Sequence, residues 1–340
     1  MASSSSSSAA DPPVHVAFNS DATHFVAATA SGIRVFSCSP FEHVLSRSGF
    51  ASPDGEVASA DVVLPGPLVA AVSGNTIKYW SELHGEMAIH PMGHGVVRAV
   101  RHVGDHVAVA GDDRAALLGI SRDGVRPVVE VDTGPNPLGA CALVQVDGGQ
   151  PEVVLACPSP PIGWVQIWRG GRRVVVDRCA HYTGISCLAL SRDGRLLATA
   201  GIMDKRLLIF RTTDCRIRQQ IMWLAVSSDM ATIDIFQISS RSMDGGDLEA
   251  TQASSDAANA NVASSKLSRL FDYTVAVVTA QYSVASFRLD EGIRYMVAFG
   301  QEPNIILVIG IDGSFRRYQF DPMKPRDVIQ IEHKNITKMN

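Results

Sequence analysis

The sequence predicts an all-β protein, a seven-bladed WD-repeat-like β-propeller with a truncated sixth blade. Three observations carry that expectation. First, one unit recurs: an apolar strand, a turn, then a strand closing on an aromatic. Second, Val16-Ala-Phe-Asn-Ser-Asp-Ala-Thr-His-Phe-Val-Ala matches Leu188-Ala-Leu-Ser-Arg-Asp-Gly-Arg-Leu-Leu-Ala-Thr without gaps, 172 residues later, or four periods of 43. A period of ~40–45 residues is the signature of a four-stranded propeller blade. Third, one interval is too short. Phe36 to Leu68 spans 32 residues, Trp80 to Val107 spans 27 and Trp168 to Leu197 spans 29, but Phe210 to Leu224 spans only 14.

The strand candidates are short and rich in β-branched or small apolar residues. Turn signals separate them at Asp54-Gly55, Asp123-Gly124, Asp193-Gly194 and Asp312-Gly313. Asp21 and Asp193 fall at the same point of the two aligned turns, where a carboxylate bonds backbone N–H groups two residues on. The third-strand endings are Tyr79-Trp80, Ile167-Trp168, Ile209-Phe210 and Ile235-Phe236, aromatics expected to pack in the core. The blades are expected at 13–48, 57–90, 93–130, 133–178, 181–216, 221–280 and 281–322. Such a ring buries both faces of each blade against its neighbours and leaves only short outer edges.

The propeller is expected over residues 13–322. Residues 1–12 form a Ser-rich tract with neither a basic start nor an apolar stretch, expected as a disordered tail. From 237 to 268 Ser, Asp, Ala, Asn and Gly dominate, expected as a disordered loop inserted in blade six. Residues 323–340 are expected as a C-terminal tail.

Composition narrows the function classes. At 46% hydrophobic and 19% charged, the chain reads as a folded protein. Its 30 Lys+Arg against 34 Asp+Glu give −4, without the basic field that nucleic-acid binding demands. The six cysteines show no CxxC pair and no zinc spacing with His, so they read as scattered reduced thiols and no cofactor is expected. His102 and His106 would converge only on a helix, yet Arg101-His-Val-Gly-Asp-His-Val-Ala-Val alternates as a strand pair. With no nucleophile elbow, HExxH or Gly-rich phosphate loop, no enzyme is expected.

Several stretches together resemble the PROPPIN (WIPI-type) autophagy propellers. They are Phe18-Asn-Ser-Asp, Gly32-Ile-Arg-Val-Phe-Ser-Cys-Ser-Pro-Phe41, Asn136-Pro-Leu-Gly139, Ala180-His181 with Cys187-Leu-Ala-Leu190, and Leu224-Ala-Val-Ser-Ser-Asp229. Phe287-Arg-Leu, Val297-Ala-Phe-Gly300, Asp312-Gly-Ser-Phe315 and Gln319-Phe-Asp-Pro322 complete them. The resemblance implies a scaffold without catalysis that recruits autophagy factors to membranes carrying phosphatidylinositol 3-phosphate or the 3,5-bisphosphate. It implies autophagy proteins as partners on the blade surfaces, and a cytoplasmic protein peripheral on phagophore or endosomal/vacuolar membranes. The family reads the lipid with a Phe/Leu-Arg-Arg-Gly motif between blades five and six. Adjacent arginines on an extended segment point to opposite sides, so each serves its own headgroup, and each planar fork binds phosphate oxygens bidentately.

That motif belongs in the short interval, where this chain instead reads Thr212-Thr-Asp-Cys-Arg-Ile-Arg-Gln-Gln-Ile-Met-Trp223. The arginine pair and the inner strand of blade six read as deleted together. Arg216 and Arg218 are two apart and share one face of a strand. The remaining family-implied headgroup positions are His181, Thr199, Lys205, Arg206, Ser227, Ser228 and Thr232. Around them Lys205 replaces a pocket Thr, Leu208 a pocket Arg, Met230 a Lys and Asp234 a His. Each lost charge-assisted hydrogen bond removes ~1.5–3 kcal/mol, and a carboxylate beside a phosphate repels it. Weakened lipid binding is expected, with a soluble protein-interaction propeller that has lost lipid binding as the alternative. The stretches Phe315-Arg316-Arg317-Tyr318 and Trp168-Arg-Gly-Gly-Arg-Arg173 mimic the motif but read as an ordinary strand and turn. Without its inner strand, blade six is expected either to use 212–222 in that place or to close the ring poorly.

Overall fold

The computed structural model describes residues 11–50, 57–62, 68–72, 75–81, 85–89, 95–121, 123–146, 152–179, 181–203, 207–212, 221–228, 231–239, 276–277, 283–324 and 327–339. Antiparallel sheets follow one another along them. The first joins β1 (His15–Phe18), β2 (His24–Thr29), β3 (Gly32–Cys38) and β4 (Phe41–Arg47) in chain order. The second joins β5 (Val57–Val62), β6 (Leu68–Val72), β7 (Thr76–Ser81) and β8 (Gly85–Ile89). The third joins β9 (Val97–Val103), β10 (His106–Gly111), β11 (Arg114–Ser121) and β12 (Gly124–Asp132). The fourth joins β13 (Ala142–Val146), β14 (Glu152–Ser159), β15 (Trp164–Arg169) and β16 (Arg172–Cys179). This is the up-and-down blade of a propeller.

The hairpin chemistry repeats as the aligned segments predict. Asp21 Oδ1 accepts from the Thr23 backbone N–H at 3.0 Å, and Asp193 Oδ1 from that of Arg195 at 3.1 Å. Asp312 does the same for Ser314 at 3.1 Å, in a turn where Gly313 takes a positive φ of 80°. His102 and His106 lie on either side of the β9–β10 turn, as the alternation predicts.

Ring closure is aromatic. Phe25 stacks on Phe36 at 5.1 Å between centroids and on Phe315 of the last sheet at 5.4 Å, and Phe41 stacks on Phe315 at 4.8 Å. Phe25, Phe36 and Phe315 are all fully buried. Aromatic pairs of this kind add ~0.5–1.5 kcal/mol each beyond the area they bury.

The last third departs from expectation. The final sheet is β24 (Tyr295–Phe299), β25 (Ile305–Gly310), β26 (Ser314–Phe320) and β27 (Val328–Asn335), so a strand occupies the expected tail 323–340. Ile336, next along, is buried, and the Arg34 guanidinium donates to the carbonyls of Ile336 and Met339, both at 3.0 Å. β27 escaped notice because an outer strand keeps mostly exposed residues and blurs the apolar alternation. Ala285–Arg288, expected to open the last blade, is β23 and pairs with β21 (Thr232–Ser239) of the preceding sheet. β21 continues through Ser239, past the expected start of the insertion at 237; residues 240–268 lie outside the described residues.

The fifth sheet joins β17 (Ile185–Leu190), β18 (Leu196–Gly201), β19 (Leu207–Arg211) and β22 (Ala276–Val277). The sixth has three strands among the described residues: β20 (Ile221–Ser227), β21 and β23. The direction of β20 is informative. First strands of adjacent sheets run parallel: Ser59 and Asp61 of β5 accept in turn from the backbone N–H groups of Val100 and His102 of β9, at 3.2 and 2.9 Å. β20 runs the other way against β24. Its last residue, Ser227, donates to the carbonyl of Tyr295, the first residue of β24, at 3.3 Å. Near its start, Trp223 packs edge-on at 5.3 Å against Phe320, which lies beside the far end of β24. β20 therefore has the direction of a second strand, and no described strand takes a first-strand place in this sheet.

Candidate functional site

The described family-implied positions fall into two groups on one face of the ring, where first strands begin and second strands end. His181 precedes β17 and Thr199 lies in β18. The His181 ring Nε2 and the Thr199 hydroxyl are 2.9 Å apart, and each residue is 1% exposed. The His181 backbone is pinned as well, its N–H donating to the Gly163 carbonyl at 3.0 Å. A β-carbon at Gly163 would fall 1.8 Å from the His181 carbonyl oxygen, so only glycine fits there, at φ 79°. The pair is buried against the β14–β15 turn, which carries Gly163.

Ser227, Ser228 and Thr232 form the second group, at the β20–β21 turn. The Ser228 and Thr232 hydroxyls are 2.7 Å apart, and the Ser228 backbone N–H donates to the Thr232 carbonyl at 2.9 Å. Ala231 closes the turn at a positive φ of 55°. The Ser227 hydroxyl is taken by Tyr295. Lys205, Arg206, Arg216 and Arg218 lie outside the described residues, as does Met230. Asp234 lies on β21 and pairs in register with Ser286.

One cation escaped the sequence reading of the headgroup positions. Arg288, at the end of β23, pairs in register with Thr232 and is exposed, with Glu291 at 3.8 Å. Some fifty residues of chain separate the two, so only the strand pairing brings them together. Also unforeseen is an apolar rim around the His181 pair. Tyr182 is 83% exposed and Met203 82%, and the Met203 backbone N–H donates to Thr183 Oγ1 at 3.3 Å.

Three arginines of the two motif look-alikes are held by carboxylates, while Arg172 and Arg173 are exposed. In β26 the side chains of Arg316 and Arg317 diverge. Arg316 holds Asp290, and Arg317 holds Glu302 at 3.2 Å and Glu332 at 3.4 Å. The hydrogen bond from Arg316, reinforced by its charge, keeps the Asp290 carboxyl below the usual carboxylate range. At the Gly170–Gly171 turn, Arg169 pairs with Glu152 at 2.7 Å. These three arginines brace the structure.

Among the described residues, no three His, Cys, Asp or Glu side chains gather as a metal site. Cys38 and Cys157 are buried free thiols, and burial pushes both upward, Cys38 to about 12, far from the reactive thiolate range. No helix of the described residues is long and apolar enough to cross a membrane.

The sheets and their radial packing define a β-propeller. The comparisons narrow the class. No family model matches the chain. Autophagy-related protein 18e of Arabidopsis thaliana is 26% identical, over 94% of this chain and 86% of its own length. SVP1-like protein 2 of Neurospora crassa is 24% identical over 67% of this chain and 56% of its own, and autophagy-related protein 18 of Aspergillus oryzae 23% over 58% and 52%. Among solved structures, a complex of KlAtg21 with the coiled-coil of AgAtg16 superposes with a TM-score of 0.67 at 16% identity, covering 95% of this chain and 99% of that one. Kluyveromyces lactis Hsv2p gives 0.65 at 12% identity, covering 96% and 99%. These relatives and structural neighbours are Atg18-type propellers, the PROPPIN family, and it is to these that the chain is similar.

Proposed function

We propose that the protein is a non-enzymatic autophagy scaffold: a seven-bladed PROPPIN ring whose sixth blade lacks its inner strand, with phosphoinositide recognition weakened. The relationship to Atg18-type proteins supports the autophagy role. The second-strand direction of β20 supports the truncated blade. Partners would be autophagy proteins met on the blade surfaces; a relative's complex with a coiled-coil segment supports that class of partner. Residence would be cytoplasmic, and peripheral at phagophore or endosomal/vacuolar membranes.

The observation that carries the weakened lipid site is the His181–Thr199 contact. Two groups that would meet a headgroup are buried against each other, while Ser228 and Thr232 engage one another. Several charge-assisted bonds lost at ~1.5–3 kcal/mol apiece take a micromolar affinity beyond millimolar. Flotation with liposomes carrying phosphatidylinositol 3-phosphate tests the reading. Recovery far below that of a relative with adjacent arginines supports it, and equal recovery overturns it.

A further inference from the structure

We infer that the seam between the first and last sheets is a ligand site: a cavity of 350 Å³ that takes a small free amine, a primary ammonium on an apolar stem. The cavity lies at the β1–β2, β3–β4 and β24–β25 turns, on the face opposite the family-implied headgroup positions. It therefore goes beyond the proposed function and does not depend on it.

Both sheets build the cavity. The first contributes His24 at the start of β2 and Cys38 and Ser39 at the end of β3. The last contributes Glu302 from the β24–β25 turn, with Ile305 and Leu307 of β25. Cys38, Ile305 and Leu307 are buried and give it an apolar floor. Ligand pockets run from ~300 to 1,000 Å³ and combine an apolar lining with a few placed polar groups, so this one suits a small molecule. Its walls are fixed in advance. Asn19 Oδ1 accepts from the His24 backbone N–H at 3.0 Å, and the Gly300 N–H donates to the Ile305 carbonyl at 2.9 Å. The Gln301 amide donates to the Asp21 carbonyl and so joins the two sheets across the seam.

Unused hydrogen-bonding capacity selects the ligand. The Thr23 hydroxyl donates to Asp21 Oδ1 at 2.6 Å and accepts from the Asn19 amide at 3.1 Å. Its one proton is spent, so it can only accept from His24 Nδ1, 2.9 Å away, and Nδ1 carries the ring proton. Burial lowers His24 against the charge of Asp21, which keeps the ring neutral at neutral pH. Nε2 is then a bare acceptor. Glu302 is the second acceptor. Its oxygens take the Ser39 hydroxyl at 3.4 Å and Arg317 at 3.2 and 3.3 Å, three of roughly four lone-pair sites.

The side-chain donors around the cavity have partners. The Ser37 hydroxyl donates to the Pro40 carbonyl at 2.5 Å. Arg317 is engaged by Glu302 and Glu332, and its Nε is buried out of a ligand's reach. Two acceptors over an apolar floor call for an occupant that donates at one end and is apolar at the other. Charge makes the donor a cation, because Asp21, Glu302 and Glu332 surround the single guanidinium of Arg317, and a charged donor bonds about twice as strongly as a neutral one.

The test titrates the whole chain with 2-phenylethylammonium at neutral pH. Calorimetry reads the affinity, and nitrogen-15 resonances of the histidine rings read the location. Saturable binding that moves the His24 Nε2 resonance is expected, with 2-phenylethanol and 3-phenylpropionate binding at least tenfold more weakly. Glu302→Gln is expected to weaken the amine at least tenfold and to leave the alcohol within twofold. Since Glu302 also holds Arg317, His24→Phe serves as a second variant that keeps those pairs, and the same tenfold loss is expected. No saturable binding, an alcohol that binds as well as the amine, or binding that leaves the His24 resonance unmoved would each overturn the inference.

Discussion

The Ser227 hydroxyl donates to the Tyr295 carbonyl at 3.3 Å, tying the end of β20 to the beginning of β24. Between neighbouring first strands such a bond would join like ends. Here it joins opposite ends, and so assigns β20 to the second-strand position. A consequence for stability follows from burial. Leu197, in the second strand of the fifth sheet, is fully buried, whereas Leu224 in β20 is half-exposed. Leu197→Ala is expected to cost about 3 kcal/mol and Leu224→Ala about 1 kcal/mol. Urea melts of the two variants check this; equal losses would place β20 in a fully packed blade.

Arg316 and Arg317 are adjacent in sequence as a lipid-reading pair would be, yet both are spent on carboxylates. Their side chains are only 12% and 15% exposed. Replacing both with Ala is expected to leave flotation with phosphoinositide liposomes unchanged, and to lower stability by about 1–3 kcal/mol through lost packing and pairing. A fall in lipid recovery without a shift in the melting temperature would reassign them as ligands.

What the sequence disclosed depended on repetition. The Asp21 and Asp193 turns were visible because the same carboxylate does the same local work twice, within two residues of itself. The closing aromatics were visible because each ends a strand. The short interval after Phe210 was legible as an anomaly of spacing, since spacing is a property of the chain alone. β27 was not legible: an outer strand faces solvent, and Val328-Ile-Gln-Ile-Glu-His-Lys carries a mixed pattern. Nor was the partnership of Thr232 with Arg288, which lie far apart in the chain. The site residues His181 and Thr199 could be named, but not their mutual burial, because a motif gives identity without direction.

That burial has its own test. Thr199→Val keeps the shape of the side chain and removes the hydroxyl that meets the His181 ring. The expected loss is about 1–2 kcal/mol in a denaturant melt, the cost of disturbing a buried polar pair. Partner capture and liposome recovery should stay at the level of the parent protein. Loss of lipid recovery at unchanged stability would mean that Thr199 reaches a headgroup.

The last expectation concerns acid. Burial, with Arg101 adding repulsion, lowers His15 to about 4, and burial lowers His102 to about 4. The unfolded chain takes up these two protons near pH 6.5 and the folded chain only near 4, so stability falls as pH falls through that window. Asp61 acts in the opposite sense. Burial raises it to about 6 despite the charge of Arg101 and hydrogen bonds from the His102 and Val62 backbone, so the folded chain binds that proton first and gains stability between about 6 and 4. Two groups oppose one, each shifted by some two units or more, and the net loss is on the order of 3 kcal/mol by pH 4. The melting temperature is expected to drop steadily from pH 7 to 4.5. In His102→Phe, which keeps a ring against Tyr79 at the position where the two rings now meet edge-on at 6.2 Å, the drop should be markedly shallower. Thermal melts of the two proteins across that range decide the matter, since parallel curves would mean that His102 titrates alike in the folded and unfolded chains.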